Sequence, residues 1–154
     1  MRVPLDEECI IHANSQFWEQ MLAMTFEPVQ IRDEFCFRAE HMLGSVRLSG
    51  VWTGSIEVRI ARELADEATA AMLMQPVETV GEADILDATR EIANMIAGTI
   101  KSCLPRPCVM TVPEAAVESR GFCSRPRTED SLTVAFHHAA GDLMVRVREQ
   151  EYKL

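Results

Sequence analysis

The longest periodic segment of the sequence runs from Glu82 to Leu104 and stops before Pro105 and Pro107. At about 100° per residue the segment separates into two faces. The broad apolar face consists of Ile85, Leu86, Thr89, Ile92, Ala93, Ile96, Ala97, Ile100, Cys103 and Leu104. The polar face consists of Asp84, Asp87, Arg90, Glu91, Asn94, Gly98 and Lys101. The pattern predicts a long amphipathic helix that the two prolines end.

Three residues of this helix are unusual for a surface that only faces solvent. Asn94 lies in mid-helix, where its side chain competes for backbone hydrogen bonds. Gly98, one turn later, costs about 1 kcal/mol relative to alanine and leaves the surface beside Asn94 low. Met95 lies at the margin of the same face, and exposed methionines are common contact residues. These features alone leave two interpretations open: a solvated polar face, or a surface that a second molecule approaches closely.

The segments around this helix predict a mixture of helices and strands. An N-terminal helix is expected over His12–Met24, capped by Asn14 or Ser15, and the alanine-rich ARELADEATAAML predicts a helix that ends at Gln75. Alternating residues predict six strands, at Val29–Phe37, Ser45–Val51, Ser55–Ala61, Cys108–Val112, Ser131–His138 and Asp142–Glu149. The glycine, proline and charge content of Glu114–Asp130 indicates a loop.

Short turns between the strands favour antiparallel pairing. We therefore expect an α+β fold of two layers, with a mostly antiparallel sheet of about six strands packed against three helices. The hairpin from Ser131 to Glu149 could expose an edge strand that a partner chain would cover. The chain has no evident linker or internal repeat, so residues 1–154 are predicted to form a single domain.

Charge and hydropathy exclude several classes of function. The net charge of −9 and the pI of 4.9 argue against binding to nucleic acid or to an anionic membrane surface, because both would repel the chain. No apolar run reaches the length of a membrane span, and the N-terminus lacks the basic start and apolar stretch of a signal peptide. A cytoplasmic protein with a protein partner or a small ligand is expected.

The five cysteines form no C-x-x-C pair. In a chain without an export signal, this scattered set predicts reduced thiols, mostly buried as small apolar residues. The four histidines show no ligand spacing with the cysteines. No metal site is therefore predicted.

An ordered set of motifs surrounds the unusual helix. Asp87, Glu91 and Asn94, in DATREIAN, follow the pattern D-x-x-x-E-x-x-N. Before them come the helix ANSQFWEQML and the hairpin GVWTGSIEVRI, which leads into ELADEATAAML; after them come IANMIAGTIKSCLP and a strand that ends in proline. This set resembles the CheC/CheX/FliY family of chemotaxis phosphatases. With one E-x-x-N helix rather than two, the chain is most similar to CheX.

The resemblance implies a function and a role for each residue of the motif. Members of the family hydrolyse the aspartyl phosphate of the chemotaxis response regulator CheY. By analogy, Asn94 would orient the attacking water, Glu91 would contact the active-site lysine of the regulator, and Asp87 would support them. Met95 and Gly98 would face the partner. The phosphatase would need no cofactor of its own, because Mg2+ stays on the regulator, and it would be a homodimer that pairs through its sheets.

The sequence leaves two other functions open. The first is a non-catalytic module of the same fold that binds a regulator or forms part of a flagellar switch. The second is an unrelated enzyme that uses Glu91 with His137 or with a cysteine. The sequence shows no other nucleophile with a base at a recognisable spacing and no glycine-rich phosphate loop. The phosphatase is the prediction that accounts for most of these features.

Overall fold

The computed structural model describes residues 3–150. Its helices are α1 (Glu7–Leu22), α2 (Arg62–Leu73) and α3 (Glu82–Lys101), with a 3-10 turn at Val77–Thr79. Its strands are β1 (Glu27–Val29), β2 (Phe35–Phe37), β3 (His41–Gly50), β4 (Gly54–Ala61), β5 (Cys108–Met110), β6 (Glu114–Glu118), β7 (Phe122–Ser124), β8 (Ser131–His138) and β9 (Gly141–Glu149). Within these residues, none of the helices combines the length and the apolar character that crossing a bilayer requires.

One antiparallel sheet forms the centre of the fold. Its strands follow the order β1-β8-β9-β4-β3-β5, and β6 also pairs with β3. Strand β3 is long enough to pair with β4 along one edge and with both β5 and β6 along the other. The predicted α+β class, with three helices on a mostly antiparallel sheet, is confirmed, and the sheet has seven strands where about six were expected.

The three helices cover one face of this sheet, and the main apolar core lies between the two layers. Rows of buried residues cross the strands in register, for example Val46, Ile56, Val147 and Leu132. Helix α3 packs on β3, and α1 and α2 each pack against α3. A Cβ atom at Gly44 of β3 would lie 2.8 Å from Cβ of Ala93 and 2.9 Å from the carbonyl oxygen of Thr89. Glycine at position 44 therefore allows α3 to lie close against the sheet.

Strands β2 and β7 pair with each other in a separate antiparallel ribbon. This ribbon covers the opposite face of the main sheet, which carries charged side chains. The Glu57 carboxylate accepts from Arg146 at 2.9 Å and lies 3.5 Å from Arg59, whose guanidinium stacks 3.4 Å from the ring centre of Phe122. Arg59 also donates to His41 Nε2 at 2.8 Å, so Nδ1 of His41 carries the hydrogen and donates to the carbonyl of Ala39. Burial lowers the pKa of His41, which favours the neutral ring that this arrangement requires.

The ribbon was not expected from the sequence. Of the predicted strand Val29–Phe37, only Val29 lies in β1 and Phe35–Phe37 forms β2, and these two strands belong to different sheets. The predicted loop Glu114–Asp130 contains β6 and β7. Both differences have one cause: these strands are three to five residues long and are stabilised by pairing with strands distant in sequence, which alternation in a short window does not reveal. The ribbon adds a third, small layer to the two predicted ones.

The predicted hairpin from Ser131 to Glu149 forms, as β8 and β9. The edge that it was expected to expose is partly covered within the chain. Strand β9 lies between β8 and β4, and β1 pairs with β8 at Ala135–His137. Among the described strands, β5 is an edge strand of the sheet with no partner on its outer side, and Val109 there is exposed.

The expectation of reduced cysteines is wrong for four of the five. Cys9 in α1 pairs with Cys103, just after α3, and Cys36 in β2 pairs with Cys123 in β7, while Cys108 is free and buried. The partners are 94 and 87 residues apart in sequence, so no local spacing indicated them. The packing of α1 on α3 and the register of β2 with β7 bring the sulfur atoms together.

Helix α1 begins at Glu7 rather than at His12. The side chain of Asp6 caps it by accepting from the backbone N–H of Cys9 at 3.2 Å, so neither predicted cap, Asn14 nor Ser15, acts as one. Asn14 is buried, and its side-chain oxygen accepts from the indole N–H of Trp18 at 2.9 Å. The side-chain oxygen of Asn14 therefore has its hydrogen-bond donor inside the domain.

Candidate active site

The first turn of α3 is fixed by charged contacts. The Asp84 carboxylate accepts from the backbone N–H of Gly81 at 3.0 Å, and acidic residues in this turn complement the helix dipole. Arg62 of α2 donates to Glu82 at 3.2 Å and also binds Asp66. The hydrogen bonds from Arg62 hold the pKa of Glu82 below its usual range. These contacts join the start of α3 to the start of α2.

The apolar face of α3 fixes the orientation of the helix about its own axis. Its buried residues are Ile85, Ala88, Thr89, Ile92, Ala93, Ile96, Ala97 and Ile100. The predicted face is thus confirmed for most of its residues. Leu86 is only half-buried, Cys103 and Leu104 lie beyond the end of the helix, and Ala88 is buried although the predicted face did not include it. With this side against the sheet and the neighbouring helices, the polar residues of α3 point away from the core.

Glu91, Asn94 and Gly98 form an outward stripe along α3. Glu91 and Gly98 are exposed and Asn94 is half-buried. Residues three apart on a helix have Cβ atoms about 5–6 Å apart, so Glu91 and Asn94 are neighbours. Within residues 3–150, neither side chain has a hydrogen-bond partner, in contrast to the buried Asn14. Both groups are therefore available to a second molecule.

Asp87 continues this stripe one turn before Glu91, but it is already paired. Its carboxylate accepts from Arg90 at 2.6 Å, and the exposed fractions of the two side chains are 78% and 41%. An exposed pair of this kind contributes little to stability. It neutralises Arg90, so that Glu91 keeps an unpaired negative charge beside Asn94.

Gly98 is not required by packing inside the chain. A Cβ atom there would meet no heavy atom of residues 3–150 within 4 Å, unlike the Cβ atom at Gly44. The stability that glycine costs in a helix is thus not offset by an internal contact. Met95, at the margin of the stripe, has 36% of its surface exposed. The surface beyond Asn94 is low and bordered by an apolar side chain, as predicted.

A cavity at the end of α3 was not expected from the sequence. It has a volume of about 450 Å³ and is lined by Gly98, Lys101, Ser102, Arg106, Pro107 and Cys108. Lys101 belongs to the predicted polar face, but Arg106 comes from the following loop, whose path the helical pattern does not indicate. The cavity adjoins the stripe through Gly98.

The structure weakens the alternatives that use histidine or cysteine. His137 Nδ1 lies 2.8 Å from Asp142 in the β8–β9 hairpin, not on α3, and Cys108 is buried. Among the residues that the structure describes, one group offers three metal-ligand side chains: Glu34, Cys36 and Cys123, whose ligand atoms lie within 4.8 Å of one another. Its two sulfur atoms are joined as a disulfide, whereas a metal binds the thiolate.

Comparison with known proteins identifies relatives of the chain. The family model for the chemotaxis phosphatase CheX matches residues 42–137, which include most of the sheet and all of α3. No curated protein matches the chain by sequence. The match of the family model covers the D-x-x-x-E-x-x-N motif and the GVWTGSIEVRI hairpin.

Several solved structures share the fold. A chemotaxis protein CheX from Desulfovibrio desulfuricans is 18% identical, with a TM-score of 0.73 and coverage of 97% of this chain and 100% of that chain. CheX in the CheX–CheY–BeF3–Mg2+ complex from Borrelia burgdorferi is 17% identical, with a TM-score of 0.66 and coverage of 94% and 97%. The FliM middle domain from H. pylori is 10% identical, with a TM-score of 0.53 and coverage of 94% and 93%.

Proposed function

The chain belongs to the CheX family of chemotaxis phosphatases, and on this premise we propose that it hydrolyses the aspartyl phosphate of a CheY-like response regulator. The observation that carries the proposal is the pair Glu91 and Asn94 on the outward stripe of α3. Their side chains have no partner within residues 3–150. The similar structure from Borrelia burgdorferi, a complex of CheX with CheY, BeF3 and Mg2+, supports a regulator as the partner.

Asn94 is suited to orienting the attacking water. An acyl phosphate is reactive, so catalysis requires a positioned water and a fixed geometry more than covalent chemistry. The amide oxygen can accept a hydrogen bond from the water while the amide N–H donates to a phosphoryl oxygen. Because the amide is neutral, it adds no charge to an anionic site. A carboxylate at this position would repel the phosphoryl group.

Glu91 is suited to fixing the docked position of the regulator. Its carboxylate would form a charge-assisted hydrogen bond with the active-site lysine of the regulator, made only in the complex. Asp87 would support this contact by pairing with Arg90, which keeps that cation from competing for Glu91. Mg2+ would be bound by the regulator, and we propose no cofactor for this chain.

A non-catalytic module is the second candidate. The fold, which the FliM middle domain shares across most of both chains, does not by itself imply turnover. In this case α3 would bind a regulator without speeding its hydrolysis. The two candidates differ in turnover and not in binding.

The test combines the protein with a response regulator of the same genome, phosphorylated in magnesium buffer. We expect the phosphoryl group to be lost faster than from the regulator alone, in proportion to the amount of protein added. Release of inorganic phosphate would be followed in both samples. If binding is measurable but the rate of release equals that of the regulator alone, the non-catalytic module is the better description.

Two substitutions at Gly98 distinguish its effect on the stability of the fold from its effect on docking of the regulator. We expect Gly98→Ala to raise the free energy of unfolding by about 0.5–1 kcal/mol, since the position is open and alanine is the better helix former. Gly98→Leu places a larger side chain on the low surface and should raise KM for the phosphorylated regulator. Urea unfolding and steady-state hydrolysis would measure the two effects. An unchanged KM for the leucine variant would exclude close approach of the partner at Gly98.

We also propose that residues 1–154 form one CheX-like domain that assembles as a homodimer through its sheets. The edge strand β5 and the segment after it expose Val109 and Val112, which a second copy would cover. Light scattering of the purified chain would give its mass in solution, and a monomer at micromolar concentration would exclude a stable dimer.

A further inference from the structure

We propose that the cavity at the end of α3 is a second recognition point for the regulator and binds a carboxylate side chain that lies outside the regulator's phosphorylation site. The inference rests on the proposed function, because it assigns a further contact to the same partner. It concerns docking rather than hydrolysis. The cavity residues Lys101 and Arg106 carry it.

Both cations are available. Within residues 3–150, neither the Lys101 side chain nor the Arg106 side chain has an ion-pair or hydrogen-bond partner. Two other cations, by contrast, are engaged: Arg59 with Glu57 and Arg62 with Glu82. In a chain with a net charge of −9, two unpaired cations beside one cavity form a local site for an anion.

The cavity continues the stripe that carries the proposed catalytic groups. Lys101 follows Asn94 by seven residues, which is about 10 Å along the helix axis and close to two full turns. Gly98 lies between them and also lines the cavity. A regulator docked with its phosphoryl group at Asn94 would therefore cover the cavity as well.

The charges along the stripe differ between its two ends. Glu91 lies at the middle of α3, whereas Lys101 is its last residue and Arg106 follows it in the chain. A partner that presents a lysine to Glu91 and a carboxylate to the cavity fits in one direction along the helix. In the reverse direction it would bring like charges together, which disfavours binding. The cavity would thus fix the orientation of the regulator along α3.

The backbone that forms the cavity is held in place before any partner binds. Leu104 N–H donates to Lys101 O at 3.0 Å, and Val51 N–H donates to Pro107 O at 3.0 Å. The side chain of Leu104 is buried, and the neighbouring Cys103 is joined to α1 through Cys9. Arg106 therefore projects from an ordered turn, so ordering of the backbone does not oppose binding.

The test measures hydrolysis of the phosphorylated regulator by the variant Lys101→Glu/Arg106→Glu. We expect KM to rise about tenfold with little change in kcat, because a docking contact is lost while Glu91 and Asn94 remain. The dependence of kcat/KM on salt should also become weaker. Arg32→Glu/Arg125→Glu reverses two exposed arginines outside the cavity and changes the net charge by the same amount; it is the matched control and should keep the wild-type KM. The milder variant Lys101→Gln/Arg106→Gln serves if the double reversal does not fold.

The failure of this inference is distinct from the failure of the proposed function. If the wild type hydrolyses the phosphorylated regulator, and both cavity variants (Lys101→Glu/Arg106→Glu and Lys101→Gln/Arg106→Gln) keep its KM and its salt dependence, the cavity is not a recognition point. If the wild type does not hydrolyse, the proposed function fails, and titration with the regulator decides the inference instead. If the Kd for the regulator is then the same for the wild type and the cavity variants, the inference is overturned. If this Kd is raised only in the cavity variants, the inference is supported.

Discussion

Asn94→Ala is expected to lower the rate of hydrolysis at saturating phosphorylated regulator by about 10²–10³-fold. This is the typical effect of removing one oriented polar group that acts in the transition state. Binding of the regulator should largely persist, because Glu91 and the rest of the outward stripe are unchanged. Single-turnover release of phosphate would measure the rate, and titration of the unphosphorylated regulator would measure the affinity.

The reason for so large an effect is the local structure around the amide. Asn94 is half-buried on a helix whose opposite side is packed against the sheet, so its backbone is held rigidly. Its side chain makes no hydrogen bond within residues 3–150, so the amide oxygen and N–H are available to the water and the phosphoryl group without an existing bond having to break. A group that is already placed requires little reorganisation during the reaction.

Two further variants separate positioning of the water from docking. Asn94→Asp keeps the size of the side chain but adds a negative charge, so it should lose as much activity as Asn94→Ala. Glu91→Ala should weaken binding as well as turnover, because the bond to the lysine of the regulator is lost. Wild-type turnover by Asn94→Ala would show that Asn94 does not position the water.

The parts of the fold that the sequence predicts well are those in which one periodic segment determines its own structure. The faces of α3 follow from the spacing of its residues, and the structure buries the side that the spacing predicts. The β3–β4 and β8–β9 hairpins also follow from alternation and short turns. The stripe of Glu91, Asn94 and Gly98 could therefore be located before the structure was known.

Features that depend on contacts between distant segments could not be predicted in this way. The β2–β7 ribbon and both disulfides need a register or a helix contact that links residues more than eighty positions apart. The burial of the charged face beneath the ribbon also depends on contacts between distant segments. Arg59 and Arg146 alternate with apolar residues as solvent-facing side chains would, yet the ribbon buries Arg59 and half-buries Arg146. The cavity at Arg106 likewise depends on the path of a loop.

Removal of the Cys9–Cys103 disulfide is the change expected to affect stability most. The variant Cys9→Ser/Cys103→Ser should lower the free energy of unfolding by about 2–4 kcal/mol, since the disulfide restricts a long loop in the unfolded chain. The two cysteines are 94 residues apart. For a domain whose total stability is about 5–15 kcal/mol, this loss is large. Urea unfolding at neutral pH, without reductant, would measure it.

The second disulfide provides the matched control and a test of the mechanism. Cys36 and Cys123 are 87 residues apart, so Cys36→Ser/Cys123→Ser alone should have a similar effect. The two loops overlap along the chain, because residues 36–103 belong to both. Once one disulfide is present, the second closes a shorter path, so the two losses should not add. A wild-type unfolding midpoint that does not change with reductant would contradict both disulfides as sources of stability.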